Sequence, residues 1–176
     1  FIDMGGNMLI HVFFWTVLTH EPKLIMIGKC KNMSEYNRTT RECSVNQLHP
    51  EVFNALKLYF HEKNLGDVEA EAVLCCETLS TKKSTGGLFS LLSPSADTTI
   101  HTGIVLTSEW LIWVRNGDTS GSVLSAASLK KIIVNTYKSM FVNDTGLEII
   151  GYIGDSKLVA KGYVGMGPEP ATQKFC

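Results

Sequence analysis

Five cysteines and five histidines are the side chains of this chain with the broadest chemistry to offer, as metal ligands, nucleophiles or proton carriers. Cys30, Cys43, Cys75, Cys76 and Cys176 contain no C-x-x-C pair, and none stands beside a histidine at ligand spacing. Cys75 and Cys76 are adjacent in a predicted strand, so their side chains point to opposite faces. That placement suits one buried and one exposed thiol rather than a shared metal, and free thiols fit a reducing, cytoplasmic compartment. His11, His20, His49, His61 and His101 form no H-x-H array, and His61-Glu62 lacks the second histidine that would complete H-E-x-x-H. Gly86-Gly87 is not followed by the Lys-Ser/Thr of a phosphate-binding loop. No metal and no cofactor is expected.

Two Gly-flanked motifs resemble protease signatures. Asp144-Thr145-Gly146 matches the D-T-G of aspartic proteases, where paired carboxylates share a proton to activate water. Its flanks depart from that family: Asn143 stands where an apolar residue belongs, and Leu147 where Ala or Ser belongs. Asn, Asp and Gly are what a hairpin turn demands, so a turn is expected and a hydrolase using Asp144 is the alternative. Gly117-Asp118-Thr119-Ser120-Gly121 is similar to the nucleophile segment of chymotrypsin-like proteases. Such a serine needs an imidazole base and an orienting carboxylate. His101, within a predicted strand pair, is the one histidine of the strand-rich region. A hairpin loop is expected there.

The segment Leu88, Phe89, Leu91 and Leu92 stands out differently. These large apolar residues sit in a connection rich in Ser, Thr and Gly, with Lys82 and Lys83 just before it. The loop either caps the core or offers an apolar anchor to a protein partner or a membrane surface. These six residues are the candidate binding site. Nucleic acid is not an expected partner, because the net charge is -1 and neither half of the chain is basic.

Charged residues make up 19% of the chain and apolar residues 44%, which permits a buried core. Met8–Leu18 is strongly apolar but shorter than the roughly 20 residues of a spanning helix. No basic residue precedes it closely, and Thr19-His20-Glu21-Pro22 ends it without a small-residue cleavage site. Without a secretory signal, the sequons at Asn32, Asn37 and Asn143 read as chance. Met33 opens a stretch like an ordinary protein start, so residues 1–32 are expected to be extraneous or poorly packed and 33–48 to be a polar linker.

Residues 49–66 predict an amphipathic helix. Pro50 occupies a favoured first position, Val52, Phe53, Leu56, Tyr59 and Phe60 recur at helical spacing, and Gly66 supplies a left-handed cap. From residue 67 the period becomes that of strands: Val68–Ser80, a hairpin of Ile100–Thr107 with Trp110–Arg115, a turn at Asn116-Gly117, then Ser122–Leu124, Leu129–Tyr137, Ser139–Val142, Leu147–Ile153 and Lys157–Val164. Trp110 and Trp113 should face opposite sides, one in the core and one at the surface. Pro168–Cys176 reads as a helix truncated within its length. The fold class is α+β, mainly antiparallel β, with residues 67–176 forming a barrel or sandwich.

The run IHTGIVLTSEWLIWVR at 100–115, with Val123 and SLKKIIV at 128–134, resembles the bacterial pleckstrin-homology-like domain over residues 50–176. The resemblance implies a barrel whose open end is plugged by a C-terminal helix, and a binding or scaffolding module. Phosphoinositide-binding members carry several Lys/Arg on the first two strands. Here only Lys82 and Lys83 fit, and Ile100–Thr107 adds only His101. A non-catalytic module for a protein partner or membrane surface is expected, with a small-ligand carrier ranked last because a small barrel is filled by its own side chains.

Overall fold

Alternation along three central strands decides the architecture. The computed structural model describes residues 36–83, 97–138, 145–168 and 170–175; the expectations for residues 1–32 and for a strand at 139–142 lie outside the described residues. Among the described residues, eight antiparallel strands form two sheets: β1 (Tyr36–Glu42), β2 (Leu74–Lys82), β3 (Thr99–Leu106), β4 (Trp110–Gly117) and β5 (Gly121–Ser128) in one, and β6 (Ile132–Lys138), β7 (Thr145–Gly151) and β8 (Ala160–Met166) in the other. Each sheet is a meander, with neighbours in sequence paired in space. Helices α1 (Pro50–Lys63), α2 (Val68–Glu71) and α3 (Pro170–Gln173) complete the described fold, an α+β, mainly antiparallel arrangement. No backbone ladder joins the two sheets among the described residues, so the expected closed barrel gives way to two separate sheets.

The five-stranded sheet is buried on both faces. Cys75, Val105, Ile112 and Ala126 are cross-strand partners in one row, and they pack with Val52, Leu56 and Phe60 of α1. On the opposite face Cys76, Ile104 and Leu111 pack with Leu147, Ile149, Val164 and Met166 of the second sheet. Each fully buried Leu, Ile or Phe contributes roughly 1.5–3 kcal/mol relative to exposure. Cys75 and Cys76 do face opposite sides, but both are buried, because both sides of the sheet are covered at this point. Trp110 and Trp113 likewise face opposite cores, and both are partly buried.

Helix α1 begins at Pro50 as expected, but its left-handed cap is Asn64 (φ 52°), whose N–H reaches the carbonyls of Phe60 and His61. Gly66 takes a positive φ two residues later, in the connection. Val68 does not start a strand. The Asp67 carboxylate accepts the Glu69 N–H at 3.2 Å and caps the single turn of α2, so β2 begins only at Leu74. The span expected as a linker carries β1 and a 3-10 turn (Val45–Gln47). β1 is an edge strand, and edge strands carry the charge that made this one read as solvent-facing.

Thr40 on β1 ties the layers together. Its hydroxyl lies 2.8 Å from that of Thr78 and accepts the Gly167 N–H at 2.7 Å, while the Thr172 hydroxyl donates to the Gly167 carbonyl at 2.7 Å. Lys174 pairs with Glu42, and Ala171 and Phe175 pack into the core between the sheets. The C-terminal segment is thereby held against β1.

Asn116-Gly117 closes β4 rather than opening the turn. The turn itself is organised by the buried Asp97 carboxylate, which accepts from the N–H groups of Thr119 (2.9 Å) and Ser120 (2.8 Å), the Ser120 hydroxyl (2.8 Å) and Arg115 (2.8 Å). A side chain at Gly117 would stand 2.2 Å from that carboxylate.

Gly103 marks the closest approach of α1 to the sheet, since an added Cβ would lie 2.5 Å from Val52 Cγ1. Gly103→Ala should therefore force helix and sheet apart and cost about 1–3 kcal/mol by urea unfolding. An unchanged denaturation midpoint would show that the helix is not seated there.

Candidate functional site

Lys82 ends β2 and Lys83 follows it, both half-buried, and the Lys82 N–H bonds the Thr98 carbonyl at 2.8 Å. Leu88, Phe89, Leu91 and Leu92 lie outside the described residues, as does Asp144. Of the D-T-G motif, Thr145 and Gly146 begin β7, where the Thr145 hydroxyl donates to the Met166 carbonyl at 2.9 Å. Ser120 donates to Asp97 with no imidazole between them, so this hydroxyl staples a turn. Its N–H and hydroxyl, with the Thr119 N–H, hold the Asp97 carboxyl below the usual carboxylate range.

A cleft of about 430 Å³ forms where α1 ends over the sheet. The last turns of α1 bring Tyr59 and Lys63 to its rim. β4 contributes Trp110 at its first residue, β5 contributes Leu124 and Ala126, and the chain after β7 contributes Ile153 and Asp155. The cleft therefore combines an indole and aliphatic side chains with an ammonium, a carboxylate and a phenol. Burial, and then the charge of Asp155, raise the Tyr59 phenol above its ordinary range, so it remains a neutral donor. Trp110 and Leu65 also line a second cleft of about 230 Å³ with Thr107 and Glu109. They form a ridge between the two.

β5 is the edge of its sheet, and the cleft opens beside that edge. The Ala126 carbonyl points away from β4 and accepts the Gly154 N–H at 2.7 Å. In an antiparallel strand alternate residues turn both backbone groups the same way, so Leu124 and Ser122 direct their N–H and C=O to the same open side. Ladder register places Lys82 at the opposite end of the sheet, beside the start of β5, while Trp110 pairs with Ser128 at its end. The lysine pair and the cleft are thus separate features. Sequence reasoning missed the cleft because Tyr59, Trp110, Leu124 and Asp155 come from four segments and form no motif.

A second polar cluster sits where α1 begins. The Glu77 carboxylate, 9% exposed, accepts from Arg41 (Nε 3.2 Å, Nη2 2.6 Å) and from the His49 N–H (2.8 Å), with His101 Nδ1 at 3.5 Å. The His49 and His101 rings stack with centroids 4.0 Å apart. Burial alone would raise the Glu77 carboxyl; the bonds from Arg41 and His49 outweigh it and leave the group below its ordinary 4.5. Among the described residues no cluster of three or more His, Cys, Asp or Glu could hold a metal ion, and no helix is long and apolar enough to cross a membrane.

A carboxyl lowered in the folded state stabilises the fold fully above its unfolded value, and that stability disappears as pH falls through the folded one. Wild type should therefore exceed Glu77→Gln in unfolding free energy above about pH 5 and lose the advantage towards pH 3. Arg41→Met should cost about 1–3 kcal/mol at pH 7, less than a fully buried pair because Arg41 is half in solvent. A pH-independent difference between wild type and Glu77→Gln, measured by chemical unfolding, would refute this account.

No protein-family model, curated protein or solved structure matches this chain.

Proposed function

We propose that this chain is a non-catalytic recognition module that takes an extended segment of a protein partner along the free edge of β5. An apolar side chain of that segment enters the Tyr59–Trp110 cleft. The observation that carries the reading is the coincidence of a strand edge that no neighbouring strand pairs, among the described residues, with a cleft of about 430 Å³ of mixed polar and apolar lining. Strand addition draws affinity from main-chain hydrogen bonds and selectivity from pockets for alternate side chains. Leu124 and Ser122 offer the backbone groups, and the Trp110, Leu124 and Ile153 surface offers the pocket. Lys63 and Asp155 at the rim favour a ligand with polar groups flanking the buried residue.

The resemblance to pleckstrin-homology-like domains supports the same class of function. The antiparallel meander is followed by a C-terminal helix, and Ala171 and Phe175 add to the core between the sheets. That fits a helix stopping one end of the structure, as the resemblance implies. The membrane reading rests on Lys82 and Lys83, at the other end of the sheet from the cleft, and on the apolar residues Leu88, Phe89, Leu91 and Leu92 that follow them in sequence.

Selection of random dodecamer peptides on the purified chain, followed by backbone NMR titration, tests the proposal. Bound peptides should slow amide exchange at Leu124 and Ser122. Trp110→Ala should weaken them at least tenfold. Ser122→Pro should remove one donor while leaving the β4–β5 ladder intact, because proline is tolerated on the open side of an edge strand. Peptides whose shifts map to Lys82–Lys83, or vesicles of anionic phospholipid bound equally by wild type and Trp110→Ala with no peptide selected, would overturn it.

A further inference from the structure

We infer that Cys43 and Cys75 are a peroxide-reactive thiol pair that closes into a reversible disulfide between the end of β1 and β2. Ladder register is the first support. Glu42 pairs with Cys76 at the last step of the β1–β2 ladder, and one residue on the Cys43 N–H donates to the Cys75 carbonyl at 3.1 Å. Opposed residues of antiparallel strands hold their Cα atoms about 4.5–5.5 Å apart with both side chains on one face. A disulfide spans Cα separations of roughly 4.4–6.8 Å. Both side chains belong to the core cluster under α1, and both line one cleft.

Access and charge separate their roles. Cys43 is half-exposed and lines a cleft of about 380 Å³ with Ser44, Asn46, Glu69 and Ala72, whereas Cys75 is buried beneath it. The neighbouring Cys75 thiol holds Cys43 below the ordinary thiol range. Burial opposes this and Arg41, two residues back, adds to it. Cys75 keeps its proton, since ionising it beside Cys43 is strongly opposed. Cys43 is thus the nucleophile and Cys75 the resolving thiol. Cys76 takes no part: it points to the other face, and burial pushes its thiol up to about 12.

The oxidant is a hydroperoxide. The Cys43 thiolate attacks the terminal peroxide oxygen, the O–O bond breaks, and the departing alkoxide or hydroxide takes a proton, leaving Cys43 as a sulfenic acid. That sulfur is now neutral, so the main charge opposing ionisation of Cys75 is gone. The Cys75 sulfur attacks Cys43 Sγ and expels the hydroxyl, which leaves as water with the Cys75 proton. Two thiols lose two electrons in total, and the peroxide gains them. The Arg41–Glu77 pair two residues along the same two strands ties them and holds the register at which the sulfurs meet.

The full chain is treated with hydrogen peroxide, its remaining thiols are blocked with N-ethylmaleimide, and its peptides are mapped by mass spectrometry. A Cys43–Cys75 linked peptide, two hydrogens lighter than the thiol pair and restored by dithiothreitol, is expected. Cys76→Ser should leave it unchanged. Cys75→Ser should instead leave Cys43 as a sulfenic acid captured by dimedone, and Cys43→Ser should leave Cys75 unoxidised. Full maleimide labelling of Cys43 after peroxide would overturn the inference. So would sulfinic acid at Cys43 without the link in wild type, or a link from Cys43 to Cys30 or Cys176 in its place.

Discussion

The structure depends on a sheet kept dry on both faces. β2, β3 and β4 bury residues of both parities, so every step along them must satisfy one of two cores. α1 covers one side and the three-stranded sheet covers the other. The arrangement leaves little freedom of register, because a one-residue slip would exchange the two cores wholesale. It also explains the absence of a side chain at Gly103, where α1 lies closest and even a methyl group would collide with Val52.

Three buried polar sites of this arrangement lie at seams, and each is bonded to what closes its seam. Glu77 sits where α1 enters the sheet and binds the backbone there. Thr40 and Thr78 sit where the C-terminal segment meets β1, and Asp97 fills the β4–β5 turn. An unsatisfied buried acceptor costs on the order of 1–3 kcal/mol, so each of these sites also specifies which segments must meet. The cleft at Trp110 is the complement of the same design. α1 stops at Asn64 while the sheet continues, leaving aromatic surface and the β5 edge only partly covered.

Legibility of the fold followed burial. The β3–β4 hairpin was readable because its apolar runs and the short Thr107–Glu109 turn are local signals, and α1 because three buried residues recur at helical spacing. β1 was not readable, since an edge strand with Arg38, Arg41 and Glu42 has the composition of a loop. Val68–Glu71 was misread because Val68, Ala70 and Ala72 alternate by chance, while Asp67 was in position to cap a helical turn. Of the six expected binding residues, Lys82 and Lys83 lie away from the cleft. Nothing local marked Tyr59, Leu124 or Asp155 as neighbours.

The amino-acid sequence by itself determined what depends on short-range periodicity: an amphipathic helix from Pro50, a mainly antiparallel meander after it and the opposite facing of Cys75 and Cys76. Tertiary structure alone decided what depends on two distant segments lying side by side. The burial of both those cysteines, the acid at Glu77 held by Arg41 and His49, the Cys43–Cys75 juxtaposition and the cleft beside β5 all belong to that second group. Periodicity reports which face a residue takes, because backbone geometry fixes it within a few residues. It carries no record of what covers that face.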